Sequence, residues 1–354
     1  MGEIGRQLPV DRGRKTAVDL FCGSGAVTWG LKSAGFNVVG AVDVDETACA
    51  TYHKNHPEVD LINNDITDVC PSHFKEAVGS CLDLLAVCAP CQPFSNQNQY
   101  RSNDDERARL VLEALPFVKE LKPQLVFFEN VPGLGRMPVC EELNDGLKSE
   151  GYFVSNPIRV DAADLGVSQR RQRMILIAAE EEAVLEKAIE ISKLDPKSVF
   201  DAIGDLGEPP VGVKNAGNDP LHYARRHEAI TIERLKHIPK NGGSREALPE
   251  HLQLNCHKGR NKNSFPDTYG RLGWGDVAPT LTTGCNDLTK GRYAHPEQDR
   301  AITLREAARL QSFPDDYQFA GNASEIAAQI GNAVPPVMMS SIAASLFSAL
   351  PRVA

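Results

Sequence analysis

The chain has 354 residues, 42% of them hydrophobic and 24% charged, with a formal net charge of −9 at pH 7. That is room for one large domain plus a smaller one, and no apolar run nears the ~20 residues of a membrane span. The polar, basic start MGEIGRQLPVDRGRKTAVDL has no apolar stretch to serve as a secretory signal, and nine scattered cysteines predict reduced thiols in a cytosolic compartment.

In chain order, KTAVDLFCGSGAV reads as a strand entering a glycine turn, and VTWGLKSAGF as a helix stopped by Gly35. NVVGAVDVD is a second strand and ETACATYHKNH a second helix, followed by a short apolar stretch before NNDITDV. DLLAVCAP is a strand, RARLVLEALPFVKEL a helix, PQLVFFENV a strand and CEELNDGLKSEGY a helix. RMILIAA, a continuous apolar run, suits a sheet covered on both faces. Strands alternating with helices predict a doubly wound α/β sheet to about residue 180. EEEAVLEKAIEISKL then reads as a charged surface helix. From Asp195 to Asp299 the chain is rich in Gly, Pro, Asn and basic residues, a smaller irregular module. Helical pattern returns in TLREAARLQSF and SEIAAQIGNAVPPVMMSSIAASLFSAL. Charge follows this division. Residues 211–310 carry 16 Lys and Arg against 11 Asp and Glu, leaving the rest of the chain at −14, so an acidic body holds one basic segment able to meet a polyanion.

Two stretches carry chemistry. In DLFCGSGAVTWG, glycines let the backbone approach a ligand at a helix N-terminus. Thr28 stands where a dinucleotide fingerprint has its third glycine, so the pattern is Phe21-x-Gly23-x-Gly25. Asp43, 22 residues past Phe21, ends the second strand, where a carboxylate can accept ribose hydroxyls, and Asp65 is placed to reach an adenine amino group. In LAVCAPCQPFSNQ, Pro90 and Pro93 stiffen the chain around Cys91. Four readings compete for that thiol: packing, a Cys88–Cys91 redox pair, a metal ligand and a nucleophile. Cys88 ends a strand, not a helix N-terminus, and no second C-x-x-C offers metal ligands. A nucleophile needs rigid aim and charged companions. Glu129 with Asn130 at one strand end, and Arg171 with Arg173 at the start of another, supply them, the two arginines expected on one face.

Together these motifs resemble the C5-cytosine-specific DNA methyltransferase family of bacterial type, over nearly the whole chain and in order. DLFCGSGAVTWGL resembles the first cofactor motif, PCQPFS the catalytic loop, ENVPGL the base-holding glutamate and QRRQR the arginine motif. AITLREAARLQSFPDDY and QIGNAVPP resemble the last two, and APTLTTG the threonine-leucine segment of the target-recognition region. The resemblance implies a mostly parallel sheet of the S-adenosylmethionine-dependent methyltransferase type with a smaller, irregular target-recognition domain. It implies a catalytic domain over about residues 10–185, a recognition domain over 186–299, and a return to the catalytic domain over 300–354. Phe21, Gly23, Gly25, Asp43, Asp65, Ile66, Pro90 and Asn332 would hold S-adenosylmethionine, with no metal. Cys91, Glu129, Arg171 and Arg173 would be catalytic. Ser95, Lys258, Arg260, Lys262, Thr280 and Leu281 would contact double-stranded DNA, with Lys214, Arg225 and Arg226 as further phosphate partners. The implied reaction is methylation of C5 in a flipped cytosine through a covalent Cys91 adduct, by a cytoplasmic, nucleoid-associated monomer paired with a restriction endonuclease or solitary. Its alternatives are a tRNA cytosine methyltransferase, whose Cys-Phe-Thr signature is missing from this sequence, and a non-catalytic DNA-binding relative, which would have lost the cysteine, glutamate or arginine.

Overall fold

The computed structural model describes residues 15–79, 81–90, 106–212, 218–254 and 267–351. Cys91, Ser95, Lys214, Lys258, Arg260 and Lys262 lie outside the described residues.

The first half alternates as its sequence predicts: β1 (Thr16–Leu20), α1 (Ala26–Ser33), β2 (Asn37–Asp43), α2 (Glu46–Asn55), β3 (Asp60–Asn63), α3 (Lys75–Val78), β4 (Leu84–Val87), α4 (Ala114–Leu121), β5 (Leu125–Asn130) and α5 (Pro138–Ser149). Two short strands, β6 (Phe153–Val154) and β7 (Ile158–Asp161), precede β8 (Gln172–Ala179). The sheet order is β3-β2-β1-β4-β5-β8-β6, with β7 also on β8. The first five strands pair in parallel, whereas β8 runs antiparallel to β5, β6 and β7. Both faces are covered. Ala17, Leu125, Phe127, Ile175 and Ile177 point to one layer, and Val18, Val126, Phe128, Leu176 and Ala178 to the other, the period-two alternation of a strand buried twice.

Only the second half of RARLVLEALPFVKEL is α-helix; residues 106–113 form 3-10 turns. Pro116 is the physical reason, since it has no N–H to give the carbonyl of Leu112 and its ring crowds that carbonyl.

After α6 (Glu182–Ala188) the irregular segment carries α7 (Val199–Ile203) and α8 (Ala229–His237), then α9 (Leu304–Leu310), α10 (Ala323–Asn332) and α11 (Pro336–Ala349) close the chain. Met338, Met339, Ile342 and Leu346 of α11 share the core of β1, α1 and α6. Lys15 Nζ donates to the carbonyls of Phe347 (2.6 Å) and Leu350 (3.0 Å), tying the end of α11 to the start of β1. Among the described residues, 323–349 is long and apolar enough to cross a membrane. Pro335 and Pro336 break it, and its large apolar side chains are buried core.

Within 195–299 a small cluster of Leu235, Ile238, Leu248, Leu252, Tyr269 and Leu288 surrounds the fully buried Arg271. Its guanidinium donates to the carbonyls of Leu235, Ile238, His295 and Gln298 and pairs with Asp299. Arg300 and Arg305 are buried too. The positive balance of this segment is therefore partly internal scaffolding, a correction to reading it all as a surface for a polyanion.

Candidate active site

The parallel register pairs Leu20 with Val42 and Val87, Asp43 with Asn63, and Val87 with Phe128, so the carboxyl ends of the first five strands open into loops along one edge. Phe21, Gly23 and Gly25 have φ of 60°, 52° and 91°, so the chain turns through three left-handed residues before α1. Glycine takes that conformation without strain; Phe21 does not, and a strained aromatic at a strand end is a mark of a functional turn. A Cβ on Gly23 would meet nothing within 4 Å, so the turn is open there, whereas one on Gly25 would lie 2.6 Å from His56.

Asp43 closes the open side. Its Oδ2 accepts the Gly23 N–H (2.8 Å) and its Oδ1 the Asp45 N–H (2.8 Å). Burial raises its pKa, against the pull of these hydrogen bonds. Beside it Val44 is 66% exposed, an apolar side chain with no core to enter. Asp65 is exposed, and its Oδ1 takes both the N–H (3.0 Å) and the hydroxyl (2.8 Å) of Thr67, which lower its pKa and keep it ionised. Ile66 is buried at the start of the next turn and Pro90 is exposed at the end of the β4 loop. Two acceptor carboxylates, an exposed apolar side chain and an open glycine turn fit the sugar, base and backbone-facing portions of an adenosyl group. Val44 escaped the sequence reading, although an apolar residue between Asp43 and Asp45 at a strand end was the available signal.

The second part of the edge carries a carboxylate and a guanidinium. Glu129, near the end of β5, is 7% exposed, and Arg173 of β8 brings Nε to 2.8 Å from its Oε1. The contact is an ion pair without the alignment of a hydrogen bond, and that carboxylate oxygen has no hydrogen-bond donor among the described residues. Asn130 Nδ2 donates to Ala89 O (3.2 Å), linking the Glu129 strand to the chain that leads into Cys91. Cys88 N donates to Leu20 O (3.2 Å), tying the same chain to the glycine turn. Desolvation and the nearby Glu129 carboxylate push the Cys88 thiol well above its ordinary pKa. The attacking thiol of a redox pair needs a lowered one, so Cys88 is not suited to that part.

Arg171 and Arg173 reach different partners. Arg173 belongs to β8, but Arg171 precedes it, and its buried guanidinium donates to the carbonyls of Leu281 (3.1 Å), Gly331 (2.9 Å) and Asn332 (3.4 Å). Arg171 thus joins the threonine-leucine segment to the end of α10. A Cβ on Gly331 would come within 2.3 Å of the Thr282 backbone, so this junction needs glycine. The Leu281 side chain is fully buried and its N–H donates to Gln169 Oε1 (2.9 Å), so in the free chain it is core, against the expected DNA contact. Thr280 is exposed, its hydroxyl donating to Arg170 O (2.7 Å). Asn332 is exposed at the end of α10, and Arg225 and Arg226 are exposed in the irregular segment.

Comparison with known proteins agrees with this geometry. A family model described as C-5 cytosine-specific DNA methylase matches residues 16–348. The Type II methylase M.HgiDII of Herpetosiphon aurantiacus is 36% identical over 338 residues, covering 93% of this chain and 94% of that protein. The Type II methyltransferase M.XorII of Xanthomonas oryzae is 32% identical over 370 residues, covering 95% and 85%. Among solved structures, a DNA modification methyltransferase encoded within an Escherichia coli prophage superposes with a TM-score of 0.71 at 24% identity, over 94% of this chain and 98% of that one. The Spodoptera frugiperda DNMT2 structure gives 0.63 at 18% identity, over 94% and 99%. At such identities the two structures share the fold.

Proposed function

We infer the roles of individual residues from one premise: the chain belongs to the C-5 cytosine-specific DNA methylase family and is a DNA (cytosine-5-)-methyltransferase. Its alternating strands and helices have the fold of the S-adenosylmethionine-dependent methyltransferases. S-adenosylmethionine, when bound, supplies an electrophilic methyl group. Asp43 accepts from its ribose and Asp65 from its adenine amine, Val44 and Ile66 give the base an apolar contact, Phe21, Gly23, Gly25 and Pro90 shape the turn side, and Asn332 closes the pocket. The chemistry calls for a thiolate, a carboxyl and a guanidinium, and needs no metal.

Cytosine C5 is too weak a carbon nucleophile to be alkylated unaided. The Cys91 thiolate adds to C6, the C5–C6 π pair moves towards C5, and Glu129 stabilises the adduct by contact with N3 and the exocyclic amine. Arg173 holds Glu129 and reaches the O2 side of the base. After methyl transfer, loss of the C5 proton and elimination of the thiolate restore the aromatic ring. None of this can occur within stacked duplex, so the base is flipped out at a cost of a few kcal/mol. Ser95 and Thr280 contact the backbone around it. Lys258, Arg260 and Lys262, with the exposed Arg225 and Arg226, contact phosphates and weaken binding as salt rises.

The same reading divides the chain into a catalytic part over 10–185 and 300–354 and a recognition part over 186–299. It places a monomer at the nucleoid in the cytoplasm, and the Type II names of the relatives favour pairing with a restriction nuclease. The observation that carries the mechanism is the buried Glu129–Arg173 pair at 2.8 Å, on the strand edge next to the chain that leads to Cys91. Expression in a host lacking cytosine methylation, with 5-methylcytosine mapped across the genome at single-base resolution, tests it. One short methylated motif is expected; an unmethylated genome with the protein present would overturn the reading.

A further inference from the structure

The glycine turn is held from behind by two residues distant in sequence. Tyr317 hydroxyl donates to Ser24 O (2.5 Å). His56 Nε2 lies 3.0 Å from Gly25 O, and Lys32 Nζ lies 3.4 Å from its Nδ1. An ammonium can only donate and a carbonyl only accept, so the imidazole is the neutral tautomer with its proton on Nε2. Burial first, and then the Lys32 charge, depress its pKa to about 4, which keeps that tautomer at working pH. The Lys32 ammonium is itself paired with Glu58.

Neither residue is there by accident of packing. Tyr52 meets the His56 ring edge-on at 4.9 Å, and Phe313 and Phe319 enclose the Tyr317 ring at 4.9 Å and 5.4 Å. The chain after Tyr317 is pinned to α2. Asn55 Oδ1 accepts the Gln318 N–H (2.9 Å), Asn55 Nδ2 donates to Gln318 O (2.8 Å), and Thr51 Oγ1 accepts the Ala320 N–H (2.8 Å). Both hydroxyl and imidazole fill the space that a Cβ on Gly25 would need, at 3.0 Å and 2.6 Å, while the Gly23 side stays open. The backbone turns the same way, Gly25 N–H donating to Cys22 O (2.9 Å) and Trp29 N–H to Gly25 O (2.9 Å), and the side chains add to this. A peptide unit is planar with its C=O and N–H opposed, so holding the Gly25 carbonyl behind the turn aims the Ala26 N–H, at the start of α1, the other way.

We propose that Tyr317 and His56 are positioning residues for the cofactor, setting the two peptide planes of the glycine turn so that its open face is preformed for the adenosylmethionine group. The inference rests on the cofactor reading given above and adds to it which residues set the affinity without touching the ligand. It also gives the segment after α9 a task in cofactor binding from the far side of the turn.

The test is titration calorimetry of the full chain with S-adenosylhomocysteine, in wild type, Tyr317→Phe, His56→Ala, His56→Gln and Asp43→Ala, beside thermal unfolding and duplex DNA binding. Loss of one buried hydrogen bond that preforms the turn is expected to raise Kd about tenfold in Tyr317→Phe, with DNA affinity within about twofold of wild type. His56→Gln, which keeps an N–H donor, is expected to bind more tightly than His56→Ala. If Asp43→Ala weakens binding while Tyr317→Phe and His56→Ala bind as wild type does, the positioning role is wrong and the cofactor site stands. If Asp43→Ala also binds as wild type, the cofactor reading falls, and this inference with it. Should His56→Ala fail to fold, Tyr317→Phe, which keeps its ring in the aromatic cluster, decides alone.

Discussion

Replacing Glu129 by Gln removes the ionisable carboxyl while keeping size and shape, and it separates chemistry from binding. The carboxyl is 7% exposed and 2.8 Å from Arg173 Nε, so no bulk water stands ready to replace it at the base. A positioned acid or base contributes about 10²–10⁴-fold to a rate, and a fall of about 10³ in kcat corresponds to roughly 4 kcal/mol of lost transition-state stabilisation. A structural cost also follows, because Arg173 loses its charged partner. Arg173 keeps 14% exposure of its side chain, so that cost stays below the roughly 3–5 kcal/mol of a fully buried pair that is broken. The assay is transfer of labelled methyl groups to unmethylated duplex DNA under saturating conditions, with unfolding temperature and S-adenosylhomocysteine affinity measured on the same samples. The expected result is a collapse of kcat with cofactor Kd unchanged and a folded protein. A rate within threefold of wild type would refute the role given to Glu129.

Cys88→Ala is expected to methylate DNA at close to the wild-type rate, since desolvation and Glu129 keep that thiol protonated; loss of activity would revive a Cys88–Cys91 partnership. Arg171→Lys replaces a planar fork serving the carbonyls of Leu281 and Gly331 with a single ammonium, and should lower stability by about 2 kcal/mol, read as a lower urea midpoint. Glu306 is buried, and although burial raises its pKa, the hydrogen bonds and charge of Arg300 outweigh that and hold it below the usual carboxylate range. Its contribution is therefore fully present above the unfolded pKa of about 4.3 and is lost as pH falls through the folded value. Glu306→Gln should lower the unfolding temperature at pH 7, by about 3–5 kcal/mol of stability, with the gap to wild type closing in acid. A gap independent of pH would contradict the assignment.

Much of the candidate site's placement was legible because its residues sit where local pattern changes: glycines after an apolar strand, and Asp43 and Glu129 at strand ends. The rest was hidden for physical reasons. Alternation of apolar residues does not encode strand direction, so nothing in RMILIAA revealed that β8 runs antiparallel to β5. In β7, Ile158 and Val160 alternate with Arg159 and Asp161, but four residues are too few to stand out from a loop. The two-residue spacing of Arg171 and Arg173 did not reveal that one guanidinium meets Glu129 and the other the carbonyls of Leu281 and Gly331. Nothing local marks His56, or Tyr317 inside QSFPDDY, as a partner of the glycine turn. Their contacts to Gly25 and Ser24 span 31 and 293 residues, and no local window reaches the longer one.

The thiolate addition can be caught directly. In duplex DNA carrying 5-fluorocytosine at the methylated position, fluorine stands where the C5 proton must leave, so the adduct forms but cannot eliminate the sulfur. With S-adenosylmethionine present, the account expects a protein–DNA complex that survives denaturing electrophoresis, whose digestion yields a cross-linked peptide containing Cys91, and which Cys91→Ser does not form. A cross-link at another residue, or none from an enzyme that methylates ordinary cytosine at full rate, would contradict it.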